Sequence, residues 1–369
     1  MQENLLSINE GHGMAINKVL STVEVQMIMH GLDVQDLLQF SSCSKFLRSA
    51  ASHKFAWKCT PHCLIQGNNI EQLSRRVNDA CTYAISCHRQ YIVFYDDIDQ
   101  TETDISSLLK AISKHNQNVI GILLSHCSFS DDNNSTLFDL ANVLRNSKGK
   151  LKYFGITSSQ MNERGVFELS DAIRSTPSII ALNFQCDMSQ KCVLAIAPTF
   201  KTLVALDFSG NTLDHVSIKT IASVLDQNKT LTSLNLSGCS LRNKGIVDLA
   251  LALKTSNHLI NLDLSNNFLT SAGVVALIDS ISAIPRLRQL NLKMNRIRNA
   301  GAFKLSELIQ RSTCITSIDL ASNKIRNQGA LQLRQALENS KTINYIDLKS
   351  NRFNTRVVKE SLYRERDNE

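Results

Sequence analysis

Six stretches of this 369-residue chain share the pattern L-x-x-L-x-L-x-x-N-x-L, starting at Leu203, Leu231, Leu259, Leu287, Ile315 and Ile343. Consecutive starts are 28 residues apart every time. A period of that length excludes most compact folds, because each unit carries an apolar face that only a neighbouring copy can cover. Within a unit, the apolar positions three and five residues after the start, such as Leu262 and Leu264, fall on one face of a short strand. Ten residues after the start, Leu213, Leu241, Leu269, Ile297, Ile325 and Phe353 turn the chain back inward. Glycine follows at Gly245, Gly273, Gly301 and Gly329, and then apolar residues recur with helical spacing, as in Ala302, Leu305, Leu308 and Ile309. Each unit is therefore a strand, a turn and a helix, and stacking the units makes one continuous core.

Position eight of the pattern is Asn211, Asn267, Asn295, Asn323 and Asn351, with Cys239 in the remaining copy. The sharp turn after the strand leaves backbone groups without ladder partners. A buried amide can satisfy them for a net gain of about 1 kcal/mol each. These residues are expected to form a structural ladder along the stack.

Upstream the pattern continues in weaker form. Leu151, Phe154, Ile156 and Gly165 keep the spacing. Ile179, Leu182 and Phe184 open a unit of only 24 residues, and Val119, Ile122 and Leu124 open one of 32, each off by one helical turn. Tyr91 and Phe94 mark a degenerate first repeat, preceded by a predicted capping helix over Asn69–Ile85. Strands stack about 4.8 Å apart whereas helices need about 10 Å, so the stack must bend with its strands inside. Nine or ten units give an inner sheet roughly 45 Å long, a span suited to a protein partner.

Over residues 91–369 this arrangement resembles the leucine-rich-repeat family, specifically the 28-residue type of ribonuclease inhibitor-like proteins. The resemblance implies an α/β solenoid, a horseshoe with a parallel inner sheet and outer helices.

Residues 20–57 do not fit the period. Val25, Ile28, Met29 and Leu32 have helical spacing; Asp33 then opens a segment with Leu37, Leu38 and Phe40. A third segment carries Phe46, Leu47 and Ala50 and closes at Trp57, so three short helices are expected. About forty residues make a marginal core on their own. From Leu20 to Trp57 the segment resembles an F-box without gaps, through Leu20, Ile28, Leu32-Asp33-Val34, Leu37 and Cys43-Ser44-Lys45. It departs from that pattern at Ser21, Val23 and Leu47. The expected organisation is a leading segment 1–16, a three-helix F-box-like domain 17–58, a linker and cap 59–90, and repeats over 91–369.

An F-box followed by leucine-rich repeats implies a non-catalytic substrate receptor of an SCF-type ubiquitin ligase. The F-box would bind a Skp-type adaptor, which joins a cullin scaffold, and the horseshoe would hold a protein substrate. By that resemblance Leu20, Ile28, Leu32, Leu37, Leu38 and Cys43 form the adaptor surface, or alternatively fill the three-helix core. The competing expectation is an interaction scaffold or GTPase-regulator-like solenoid without a ligase link.

Alternation places Tyr153, Asp207, Asn235, Asp263, Asn291, Asp319, Tyr345 and Asp347 on the concave face. The two tyrosines are the favoured contacts, because large amphipathic rings dominate binding hot spots. Charge is concentrated at one end: residues 287–369 hold 16 Lys+Arg against 8 Asp+Glu, while the rest hold 24 against 25. The surplus falls on the loops after the strands, at Arg242, Arg296, Arg298, Lys324, Arg326 and Arg352. Such a basic edge suits carboxylates or phosphates of an acidic or phosphorylated protein segment. The absence of an aromatic platform beside the arginines in this reading argues against nucleic acid.

No cofactor, metal or enzyme activity is expected. Cys59, His62 and Cys63, with Cys81, Cys87 and His88, lack a C-x2-C pair, and no histidine sits in a recognisable catalytic motif. Apolar stretches fall short of the ~20 residues needed to span a bilayer. The acidic N-terminal residues point to a cytoplasmic chain with reduced cysteines. The polar tail Lys359–Glu369 is compatible with a bacterial effector delivered into a host cytoplasm, or with a helical cap on the last repeat.

Overall fold

The computed structural model describes residues 62–67, most of 70–78, 90–96, and 105–363 apart from short gaps at 128, 130–134, 158–160, 187, 357 and 359–360. The F-box-like segment, with Leu20, Ile28, Leu32, Leu37, Leu38 and Cys43, lies outside the described residues, as do the side chains of the thiol and imidazole candidates between Cys59 and His88.

Twelve strands form one sheet in strict chain order. They are β1 (His62–Gly67), β2 (Gln90–Asp96), β3 (Val119–Ser125), β4 (Tyr153–Thr157), β5 (Ala181–Gln185) and β6 (Ala205–Asp207), then β7 (Ser233–Asn235), β8 (Asn261–Asp263), β9 (Gln289–Asn291), β10 (Ser317–Asp319), β11 (Tyr345–Asp347) and β12 (Ser361–Tyr363). Strands β1 to β11 run parallel, each paired with the next in the chain. Strand β12 returns antiparallel on β11, pairing Tyr345 with Tyr363, and closes that end of the sheet with a strand where a helical cap had been one expectation.

From β6 onward the register advances by the 28-residue repeat, so Leu206, Leu234, Leu262, Leu290, Ile318 and Ile346 stand side by side and are fully buried. The sheet begins one unit earlier than the sequence pattern indicated. His62 pairs with Gln90, so the region expected as linker and helical cap also carries a strand, and the described residues of 70–78 are helical within the span expected for the capping helix. The short unit is explained by its helix, Gln190–Ile196, which passes into a 3-10 turn over Ala197–Thr202 with proline near its start. Pro198 has no N–H to continue an α-helix, and Phe200 instead packs edge-on against Phe208 at 5.3 Å. One apolar cluster runs from Ile70 to Val358, between the sheet and the outer helices.

The asparagine ladder is present as expected. The Asn295 Nδ2 donates to the Leu264 and Leu292 carbonyls at 3.0 and 2.9 Å, and its Oδ1 accepts from the Asn267 and Leu269 N–H groups at 3.0 and 2.9 Å. Asn267, Asn323 and Asn351 repeat the geometry one unit apart. Cys239 fills the same place, its Sγ 3.2 Å from the Phe208 carbonyl and 3.6 Å from that of Ser237. A second relay, unseen in the sequence pattern, starts the helices. Asn243 Oδ1 accepts from the Thr270 N–H at 3.0 Å, and Asn299 Oδ1 from the Arg326 N–H at 2.8 Å. Glycine at 273 leaves room for it, since a Cβ there would lie 2.6 Å from Asn243 Oδ1.

Asn295→Ala orphans the Leu264 carbonyl and the Asn267 and Leu269 N–H groups in a buried turn, while the Leu292 carbonyl keeps its bond from Asn323 Nδ2 at 2.8 Å. It is expected to lower unfolding free energy by roughly 3 kcal/mol, given ~1–3 kcal/mol per unmet group and partial relief by water. Cys239→Ala, which removes one weak donor, should cost about 1 kcal/mol. Denaturant titration of the two variants checks the order, and equal losses would remove the ladder's claimed role.

Candidate protein-interaction surface

Two rows of side chains cross the concave face in register. One runs Ile92, Gly121, Tyr153, Ala181, Ala205, Ser233, Asn261, Gln289, Ser317, Tyr345; the other runs Phe94, Leu123, Gly155, Asn183, Asp207, Asn235, Asp263, Asn291, Asp319, Asp347. The character of the face changes along the stack. Ile92, Phe94, Ile120, Leu123, Tyr153, Ala181 and Ala205 form a second buried apolar cluster. From β8 onward the face is half-buried and polar.

This division corrects the expectation for Tyr153. Alternation does place it on the concave side, but it is only 3 % exposed, packed in the apolar cluster, and offers no open ring. Tyr345, at the other end, is half-buried, and its hydroxyl donates to Asp347 Oδ2 at 3.1 Å.

The Asp/Asn column has a structural duty as well as a face. From Asp207 on, each side chain caps its own strand by accepting the N–H two residues on: Ser209 to Asp207 (3.1 Å), Ser237 to Asn235 (2.9 Å), Ser265 to Asp263 (2.8 Å), Lys293 to Asn291 (3.0 Å), Ala321 to Asp319 (2.9 Å) and Lys349 to Asp347 (2.9 Å). Adjacent carboxylates one strand apart would repel, and from 207 to 319 aspartate alternates with asparagine. The Asn291 Nδ2 bridges to Asp263 Oδ2 at 2.7 Å. Burial pushes Asp207 up to about 6, against the opposing hydrogen bonds from Ser209 and Asn235. Asp319 is also raised, first by burial and further by the neighbouring Asp347 carboxylate.

On the loop edge Arg242, Arg296, Arg298, Arg326 and Arg352 are exposed and Lys324 is half-buried, and none of the six forms an ion pair among the described residues. Some cations elsewhere are matched: Arg145 meets Glu168 at 2.7 Å and Asp171 at 3.1 Å on the outer helices, and Lys304 meets Glu307 at 3.0 Å.

Two apolar residues on this edge escaped the sequence pattern. Phe268 is 41 % exposed with Arg296 stacked over its ring at 5.2 Å, and Met294, on the next unit, is 52 % exposed. An aromatic ring therefore does accompany the arginines. Both residues, with Arg242, Arg298 and Lys324, adopt left-handed backbone with φ between 52° and 59°. That conformation costs an L-residue roughly 1–2 kcal/mol. Gly210 and Gly238 hold the same place as Met294 in earlier units, at φ 73° and 67°. The available signal was an apolar residue at loop positions that are polar or glycine in most other copies.

The buried thiols are set for packing. Burial pushes Cys239 up to about 12 and raises Cys186 as well, so neither is a thiolate at neutral pH. Among the described residues no cluster of His, Cys, Asp or Glu has metal-binding geometry, and no helix is long and apolar enough to cross a membrane.

A family model described as a leucine-rich repeat matches residues 227–250, 255–277, 285–306 and 311–333. The chain carries leucine-rich repeats. No curated protein matches the sequence. Among solved structures, a chain from the yeast Rad7–Elc1 complex is similar at 12 % identity and a TM-score of 0.44, over 92 % of this chain and 87 % of that one. An internalin from Listeria monocytogenes is similar at 15 % identity and a TM-score of 0.40, over 92 % of each chain. A Bacteroides fragilis protein is similar at 12 % identity and a TM-score of 0.43, over 64 % of this leucine-rich-repeat chain and 67 % of that one.

Because burial raises Asp207, folding takes up a proton between the unfolded value of 3.8 and about 6. The contribution is fully present below pH 4 and is lost as pH rises through 6. Asp207→Asn keeps the cap acceptor without the charge. It should gain about 2–3 kcal/mol over wild type at pH 7 and nothing at pH 3.5, where denaturant midpoints coincide. A gain independent of pH would assign the effect to packing.

Proposed function

We propose that the chain is a non-catalytic receptor that holds a protein substrate on its repeats and delivers it to an SCF-type ubiquitin ligase. Recognition of protein partners is the role of the leucine-rich-repeat scaffold. The observation that carries the broader reading is the continuous in-register surface of the last repeats, polar on the concave side and basic along the loop edge. The concave carboxylates support the non-catalytic part, because one oxygen of each is committed to capping its strand.

The ligase link rests on the F-box-like spacing of Leu20, Ile28, Leu32, Leu37, Leu38 and Cys43. In this reading that segment binds a Skp-type adaptor and, through it, a cullin. Substrate lysines are then held near the ubiquitin thioester, so catalysis comes from raised effective concentration rather than from groups on this chain. Such a receptor works in the cytoplasm. Without the link the same surface serves an interaction scaffold.

Full-length protein is expected to co-purify with a Skp-type adaptor and to lose it when residues 1–60 are deleted, while the melting of the repeats is retained. A folded full-length chain that captures no adaptor would leave the scaffold reading in place of the ligase one.

A further inference from the structure

The loop edge of the last repeats combines three properties that the fold does not require together. Phe268 and Met294 spend left-handed backbone on large apolar side chains and then leave them 41 % and 52 % exposed. Neither belongs to the two buried clusters. Around them stand Lys293, Arg296, Arg298, Lys324 and Arg326, none in an ion pair among the described residues. The Arg296 guanidinium lies over the Phe268 ring, which holds its fork in a set orientation beside the apolar surface. A methionine on the unit after the ring adds adaptable apolar surface to the same edge.

The ring, thioether and cations sit on consecutive units. Backbone bonds tie the units into one rigid edge: Arg296 N–H to the Leu269 carbonyl at 2.7 Å, Met294 N–H to Ala321 at 2.8 Å, and Arg298 N–H to Asn323 at 3.0 Å. The adjoining concave row carries Asp263, Asp319 and Asp347. A long polyanion laid on the edge would set every one of its charges beside that negative column, whereas a short segment with a few carboxylates and one apolar side chain sets few there. One exposed ring is also too few to stack successive bases.

We propose that this edge binds an acidic peptide segment of a protein partner, with an apolar side chain seated on Phe268 and Met294 and flanking carboxylates on Arg296, Arg298 and Arg326. The segment runs along the stack, across the units that carry those residues. The proposal rests on the reading of the repeats as a protein-binding surface and names the partner's chemistry. It is independent of the Skp-type adaptor, which would engage the N-terminal segment.

The test is a selection of phage-displayed random twelve-residue peptides on the full-length chain, followed by titration of the recovered peptides. Recovered sequences should be enriched in Asp and Glu around an aromatic or Leu residue. Affinity should fall at least tenfold for Arg296→Glu with Arg326→Glu, and with rising salt. Phe268→Asn with Met294→Gly places residues tolerant of left-handed backbone at both sites. It should weaken binding about tenfold with the melting temperature unchanged or raised and the salt dependence kept. Peptides without acidic enrichment, or indifferent to both double variants, would overturn the proposal. So would a thymidine twelve-mer that outcompetes the peptides and responds to the same variants. Adaptor co-purification measured on the unaltered full-length chain separates the two readings: its absence with peptide binding intact defeats the ligase link alone.

Discussion

Everything in this molecule depends on hydrogen bonds that cross from one unit to the next at the turn after each strand. A three-residue strand offers too few ladder bonds to hold its neighbour, and the turn exposes more backbone groups than the strand satisfies. The asparagine amide solves both problems with one side chain. Asn295, for instance, binds carbonyls at Leu264 and Leu292 and N–H groups at Asn267 and Leu269, so it closes its own turn and fastens the preceding one. Because those groups are buried, leaving them unmet costs more than making them gains. The ladder therefore sets the spacing and orientation of the loops as well as their stability.

With the turns held, the remaining edge becomes a rigid display. Residues one repeat apart in sequence become neighbours in space, which lets isolated arginines at 28-residue intervals act as a row. It also brings carboxylates together, and the alternation of Asp and Asn from 207 to 319 relieves that repulsion while every member still caps its strand. The concave column is thus a compromise between turn chemistry and surface charge. The buried Asp207, pushed up to about 6, shows where the compromise is least complete.

The periodic parts of the fold were legible before any coordinates. Leu206 to Ile346 stand in one buried column, and the ladder residues bond as their position demands, because stacking repeats the same environment in each copy. The first unit, at His62–Gly67, was not legible, since its strand is followed by a sequence that keeps the 28-residue advance without the leucine pattern. The F-box-like segment falls outside the described residues and stands on its sequence spacing alone.

Sequence by itself determined the period, the layer to which each position belongs, the ladder and the basic surplus at one end. It could do so because alternation in strands and spacing in helices are local properties of the chain. Tertiary structure decided which of those positions are open. Tyr153 and Tyr345 hold equivalent places, yet one is buried among Ile92, Leu123 and Ala181 and the other is half-open beside Asp347. Phe268 and Met294 were ordinary loop residues until the stack set them, exposed, among unpaired cations. Exposure depends on side chains contributed by units before and after, and that sum is made only when the units are stacked.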